Sequence, residues 1–207
     1  MIRLFKEKNI KEALDPVRKK AVQKIELIPE HRIMNENLDK IAEEISAQLK
    51  IDSLKVDFSN KTVDVKMVDI PGSQFPPGTD VRPHQSYPCA RVYYTFKIKS
   101  GDVELLTVSP TKRTFQKSVD ITTDRWDEFT IFYQTQYATI EWSDQLKEEV
   151  KKEIRSIVNE MEPMIEALNN DIKEFNKILP SQILEVLTKK REDIQKKKDQ
   201  NDDLTEF

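Results

Sequence analysis

Hydrophobic positions recur at a period near 3.6 at both ends of the chain and at a period of two in between, which predicts helices flanking a sheet. Near the N-terminus, Val17, Ala21, Ile25 and Ile28 are spaced as one helix face. Asp15-Pro16 serves as an N-cap and first-turn pair, and Pro29 closes the segment. A second helix is expected from about Asn35. Leu38, Ile41, Ile45 and Leu49 form its apolar stripe, and Asp39, Lys40, Glu43 and Glu44 face away.

The middle of the chain alternates. Lys61–Val68 reads as a half-buried strand with Val63, Val65 and Met67 inward. In Cys89–Ile98 the shared face is Val92, Tyr94, Phe96 and Ile98. Ser100-Gly101 is a turn, and Val103–Val108 is expected to return as a hairpin partner. Phe129–Tyr137 is an aromatic-rich strand with Phe129, Ile131 and Tyr133 on one side, and 111–125 has room for one more edge strand. Asp69–Pro88, with five prolines, lacks periodicity. It reads as a surface crossover ordered by packing of Phe75 and Tyr87 onto the domain, the alternative being a binding loop.

After Ser143, an N-cap, the apolar positions Leu146, Val150, Ile154, Ile157, Met161, Ile165, Leu168, Ile172, Phe175 and Leu179 advance by three or four residues at every step. Such a seam is used for helix–helix packing. Pro163 predicts a kink and Pro180 a break. A returning helix with Ile183, Val186, Leu187 and Ile194 would complete an antiparallel hairpin. The fold class is therefore α+β: a small, mostly antiparallel sheet with N-terminal helices, followed by a long C-terminal helical hairpin. The boundaries are 1–30 for the first helical segment, 31–141 for the α+β domain, 142–200 for the arm and 201–207 for a polar tail.

Composition narrows the chemistry. Three glycines in 207 residues, and no GxGxxG or GxxxxGK[ST] pattern, argue against a phosphate-cradling loop. One cysteine, Cys89, excludes an internal disulfide and suits a reducing compartment, so a cytoplasmic setting is expected. No apolar run is long enough to span a membrane. The net charge of −3 gives no global pull toward nucleic acid, so any such contact must be local.

Two local basic groups qualify: Lys112, Arg113 and Lys117 beside Phe115, and the six basic residues within Lys189–Lys198, Lys189, Lys190 and Arg191 foremost, at the distal end of the returning helix. Both also read as ordinary solvated surface. Asp57, Asp64 and Lys66 imitate the acidic residue and Asp-x-Lys of PD-(D/E)xK nucleases, in which carboxylates hold a divalent metal. Their plainer reading is the solvent face of a strand. His31 and His84 have no partner at metal-ligand spacing, Cys89 reads as a small buried hydrophobe, and Ser109 lacks a nucleophile-elbow context. No metal and no cofactor is expected. Ile165, Leu168, Ile172 and Phe175 are the seam positions expected to pair with a second copy, giving a homodimer.

The stretch Glu162–Leu204 carries Asp171, a three-residue spacer, Phe175-Asn176, then Leu179-Pro180 and a helix rich in Lys and Arg. This resembles a linker region of large bacterial proteins of suspected defence function, whose pattern has a two-residue spacer. Ile70-Pro71-Gly72 through Val103–Pro110 is similar to the β-rich N-terminal domain of the same proteins. The resemblance implies a helical hairpin between that domain and a C-terminal restriction-endonuclease-like domain of the PD-(D/E)xK type. The chain ends at Phe207, where that domain would begin, so no catalytic residue carries over. Asp57, Asp64 and Lys66 do not occupy the nuclease position of the family. The resemblance implies a regulatory or sensor module with an oligomerising arm, acting on an effector in the same or a partner protein. A small metal-dependent nuclease and a nucleic-acid-binding module are the alternatives.

Overall fold

A computed structural model describes residues 2–75, 77–135 and 141–205. The chain begins with two short strands, β1 (Ile2–Arg3) and β2 (Lys8–Asn9), followed by helices α1 (Ile10–Glu26), α2 (Glu30–Asn35) and α3 (Leu38–Leu49). Two long strands, β3 (Lys55–Pro71) and β4 (Ser86–Ser100), form a hairpin. After β5 (Val108–Ser109), β6 (Asp120–Arg125) and β7 (Glu128–Gln134) comes a single helix, α4 (Asp144–Thr205). The five-stranded antiparallel sheet has the order β1-β6-β7-β4-β3, and β2 pairs in parallel with β5. The fold is α+β.

The start of α1 is set by a capping box. Asn9 Oδ1 accepts from Glu12 N–H, and Glu12 Oε2 accepts from Asn9 N–H, both at 3.0 Å. This moves the expected helix start back from Asp15-Pro16 and places Pro16 inside the helix. A reciprocal cap satisfies two orphan donors at once, which an isolated Asp-Pro cannot do. Asn37 caps α3 through Asp39 N–H at 2.8 Å, and Leu38, Ile41 and Ile45 are buried as the stripe requires.

On β4 the predicted face of Val92, Tyr94, Phe96 and Ile98 is buried. Phe96 stacks on Phe129 with ring centroids 5.5 Å apart. Phe129 and Ile131 are buried and Tyr133 is half-buried; the last positions of the expected Phe129–Tyr137 strand lie outside the described residues. The expected strand within 111–125 is β6, but it is not an edge: β1 pairs with it on the outer side.

Val103–Val108 is not the hairpin partner of β4. Val103–Thr107 is a 3₁₀ turn, capped by Asp102 accepting from Glu104 N–H at 2.8 Å. The partner of β4 is β3, whose pairing continues through Pro71 and Ser86 and so shortens the Pro-rich connection. Phe75 and Tyr87, expected to pack onto the domain, pack edge-to-face on each other with ring centroids 5.7 Å apart.

The helical hairpin is corrected to one unbroken helix of 62 residues, about 93 Å at 1.5 Å per residue. Ser143 caps it as expected, accepting from Leu146 N–H at 3.2 Å. Pro163 and Pro180 both lie inside it. A proline in a helix interior costs about 3 kcal/mol. The seam nonetheless keeps its phase across Pro180. Leu179, Ile183 and Leu187 are all buried, and each buried side chain of that size contributes about 1.5–3 kcal/mol. Three such contacts outweigh one lost backbone bond. The supposed tail from Asn201 to Thr205 continues the helix.

Ile165, Leu168, Ile172 and Phe175, expected at an interface between copies, are buried in the chain's own core, which is one cluster joining the three N-terminal helices, the sheet and α4. The seam is long because it serves all three layers in turn.

Candidate functional site

Between α3 and β3 the chain passes from Lys50 to Leu54 without regular secondary structure. Two asparagines of α4 hold this segment. Asn176 Oδ1 accepts from Ile51 N–H at 3.1 Å, and its Nδ2 donates to Ile51 C=O at 2.8 Å. Asn169 does the same to Leu54, at 2.8 and 2.9 Å. Each carboxamide replaces a neighbouring strand for one residue. Seven residues are about two helical turns, so both side chains leave the same face of α4.

Beside this clamp lies an open groove of about 710 Å³. Lys50 from the segment and Lys55 at the start of β3 flank it on one side, and Lys173 and Lys177, one turn apart, flank it from α4. Ser46, Ser53, Ser100 and Asn170 add hydroxyl and amide groups, and Asp52 is the only carboxylate in the lining. All four lysines are exposed, and among the described residues none forms an ion pair. The clamp fixes the backbone beneath four exposed cations, an arrangement suited to an anion bearing several charges.

A second groove of about 640 Å³ adjoins the first and shares Asn170 and Lys173 with it. Lys112 and Arg113 line it, opposite Glu166, Asp171 and Glu174. Asp171 accepts from Thr111 N–H at 2.7 Å and so holds the base of the Lys112–Arg113 loop against α4. Lys117 is paired with Glu153 at 2.9 Å.

The other basic group has a structural use. Lys189 pairs with Glu185 at 2.8 Å. Lys190 Nζ donates to Ile25 C=O at 2.8 Å and Glu26 C=O at 3.1 Å, at the end of α1. Arg191 donates from Nε to Ile33 C=O and from Nη2 to Glu36 C=O, both at 2.6 Å, at the end of α2. A cation there satisfies orphan carbonyls and opposes the negative end of the helix dipole. Arg191→Ala is therefore expected to lower stability by about 2 kcal/mol in urea denaturation. Arg191→Lys should recover less than half of that, because an ammonium cannot fork across two carbonyls.

Asp57, Asp64 and Lys66 do not form one site. Asp57 and Asp64 lie opposite Lys97 and Tyr93, four residues apart on β4, or about 13 Å at 3.3 Å per residue. Asp57 is tied to Lys99 at 2.8 Å and accepts from Ser59 Oγ at 2.6 Å, which together hold its carboxyl far below the usual range. Asp64 pairs instead with Lys66 at 3.0 Å on the exposed face. Among the described residues no group of three or more His, Cys, Asp or Glu side chains is placed to hold a metal. His31 and His84 are exposed and far apart in the chain. Cys89 is buried, which pushes its thiol pKa up and makes it a poor nucleophile.

The element Asp171…Phe175-Asn176 now has a physical meaning. Asp171 secures the Lys112–Arg113 loop, Phe175 is buried with the Arg18 guanidinium 5.3 Å from its ring centroid, and Asn176 clamps Ile51. It is the docking surface of α4 on the domain. Sequence reasoning missed Asn169 as a clamp and the four groove lysines. The available signal was Asn169 and Asn176 at a seven-residue spacing beside an apolar seam, where asparagine disfavours helix unless its amide is used.

Comparison of the chain with family models, curated proteins and solved structures finds no match. Among the described residues no helix is long and apolar enough to cross a membrane.

Proposed function

We propose that this chain is a regulatory sensor module that binds a phosphate-rich ligand, foremost single-stranded nucleic acid, in the groove of Lys50, Lys55, Lys173 and Lys177. The observation that carries this is the convergence of four lysines without ion pairs among the described residues, two at the ends of the Lys50–Lys55 stretch and two on α4, onto one clamped length of backbone. A backbone of phosphates releases its condensed counterions to such a group, which supplies affinity without sequence specificity. Lys112 and Arg113 stand in the adjoining groove, where Glu166, Asp171 and Glu174 oppose them and limit how far a phosphate backbone can continue along α4. The ligand would touch the helix whose seam joins every layer of the core, so binding acts on the element best able to pass it on. The resemblance of Glu162–Leu204 to the linker of bacterial defence proteins supports a role upstream of an effector, in the cytoplasm, in the same or a partner protein.

Fluorescence anisotropy with a labelled single-stranded oligonucleotide across a salt series tests this. The logarithm of the binding constant should fall with the logarithm of salt at a slope of about −2.8 if four phosphates are neutralised. Lys173→Ala with Lys177→Ala should reduce that slope by about 1.4 and weaken binding at low salt. Binding that is absent at low salt, or a slope unchanged in the double variant, would overturn the proposal.

A further inference from the structure

β3 forms one edge of the sheet, with β4 as its one strand partner among the described residues. Among the described residues its inward face is only partly covered, by Trp142 and the first turns of α4, which line a cavity of about 240 Å³ with Val63 and Val65. Val63, Val65 and Met67 share a face with the buried Tyr94, Val92 and Ala90 of β4, yet are 52%, 39% and 43% exposed. The expectation that these three are inward and half-buried holds for their direction and fails for their cover. A long edge carrying apolar side chains and unpaired backbone groups is a template for another strand.

We propose that this edge is a homodimer interface, in which β3 pairs antiparallel with β3 of a second copy about a two-fold axis at Val65. The sequence of the strand selects both the occupant and the register. With the axis at Val65, Asp64 lies opposite Lys66 of the second copy, and Lys66 opposite its Asp64. On the other face Val63 meets Met67, Val65 meets Val65, and Lys61 meets Asp69 at both ends. Every charge from Lys61 to Asp69 is then matched by its opposite, and the apolar residues form one continuous patch between the end pairs. Moving the axis by one residue sets Asp64 against itself or Lys66 against itself, which directly opposed strand positions disfavour. A half-residue shift is excluded, because opposed residues in an antiparallel pair share a face. The charges that would discourage a foreign strand thus accept an identical one. The result is a continuous ten-stranded sheet closed by two-fold symmetry.

Sedimentation of the full chain across a concentration series, with cysteine cross-linking, tests this. The wild type should approach twice the 24.3 kDa chain mass at micromolar concentration. Asp64→Lys should raise the dissociation constant at least about tenfold, since a charge directly opposed by its like is destabilising. Adding Lys66→Asp should restore dimerisation. Both positions are exposed, so folding is preserved. Val65→Cys should cross-link to its own copy on treatment with diamide, because opposed Cα atoms lie about 4.5–5.5 Å apart, within disulfide reach. Val63→Cys, opposite Met67, should not, and the buried Cys89 does not compete. A wild type that remains a monomer, a charge swap that fails to restore what the single reversal removed, or equal cross-linking at positions 63 and 65 would overturn the proposal.

Discussion

Asn176→Ala is expected to cost about 2–3 kcal/mol of stability, and the Asn169→Ala, Asn176→Ala pair about 5 kcal/mol. Each carboxamide satisfies both backbone groups of one residue in a half-buried segment. Removing it leaves an N–H and a C=O without protein partners, and a buried polar group without a partner costs about 1–3 kcal/mol. The two sites are seven residues apart on a rigid helix, about 10 Å, and share no partner, so their effects should nearly add. Asn176→Asp keeps an acceptor for Ile51 N–H but turns an oxygen toward Ile51 C=O, so it should not rescue. Urea denaturation gives the direct measurement: the midpoint should fall with an unchanged slope. Amide exchange at Ile51 and Leu54 should accelerate in the variant that frees each of them. A loss below about 0.5 kcal/mol for the pair would mean that water replaces the clamp at no cost, as at ordinary surface sites.

That clamp marks the limit of what the sequence reveals. The stripe of α3, the buried face of β4 and the Ser143 cap were legible because each follows from short-range periodicity or from one side chain meeting nearby backbone. Leu38, Ile41 and Ile45 announce a helix whatever surrounds them. The bond from Asn176 to Ile51 spans 125 residues and depends on how α4 crosses the domain, so no local pattern contains it. Pro16 and Pro180 misled for the opposite reason. A proline is a strong local signal, but tertiary packing overrides it where the seam stays in phase, as Leu179, Ile183 and Leu187 show. Val63, Val65 and Met67 were legible in direction and illegible in cover, since alternation sets which way a side chain points and not what lies above it. The groove lysines were hidden because a lysine becomes part of a site only through lysines distant in sequence. Lys50 and Lys177 line one groove only because α4 crosses the domain there.

Leu168→Ala is expected to cost about 2–5 kcal/mol, the range for truncating a fully buried leucine. Leu168 has no exposed surface and sits between Ile165 and Ile172, which are 8% and 1% exposed. The sequence alone gave these positions to a second copy, because ten seam residues exceed what a returning helix could cover. Among the described residues there is no returning helix, and the seam is buried in one core with the three N-terminal helices and the sheet. The two accounts predict different thermodynamics. If the seam belonged to an interface between copies, polar residues at 165, 168 and 172 would yield a folded monomer, and the wild-type midpoint would depend on protein concentration through these positions. If the seam belongs to the core, Leu168→Ala lowers the midpoint of every molecule by the same amount at any concentration, and Leu168→Asn lowers it further by burying an unpartnered amide. Comparison with Asp64→Lys separates the two layers of organisation. That substitution should change mass in sedimentation and leave the monomer's unfolding free energy within about 0.5 kcal/mol. Leu168→Ala should do the reverse, in molecules that still pair through β3 wherever they remain folded.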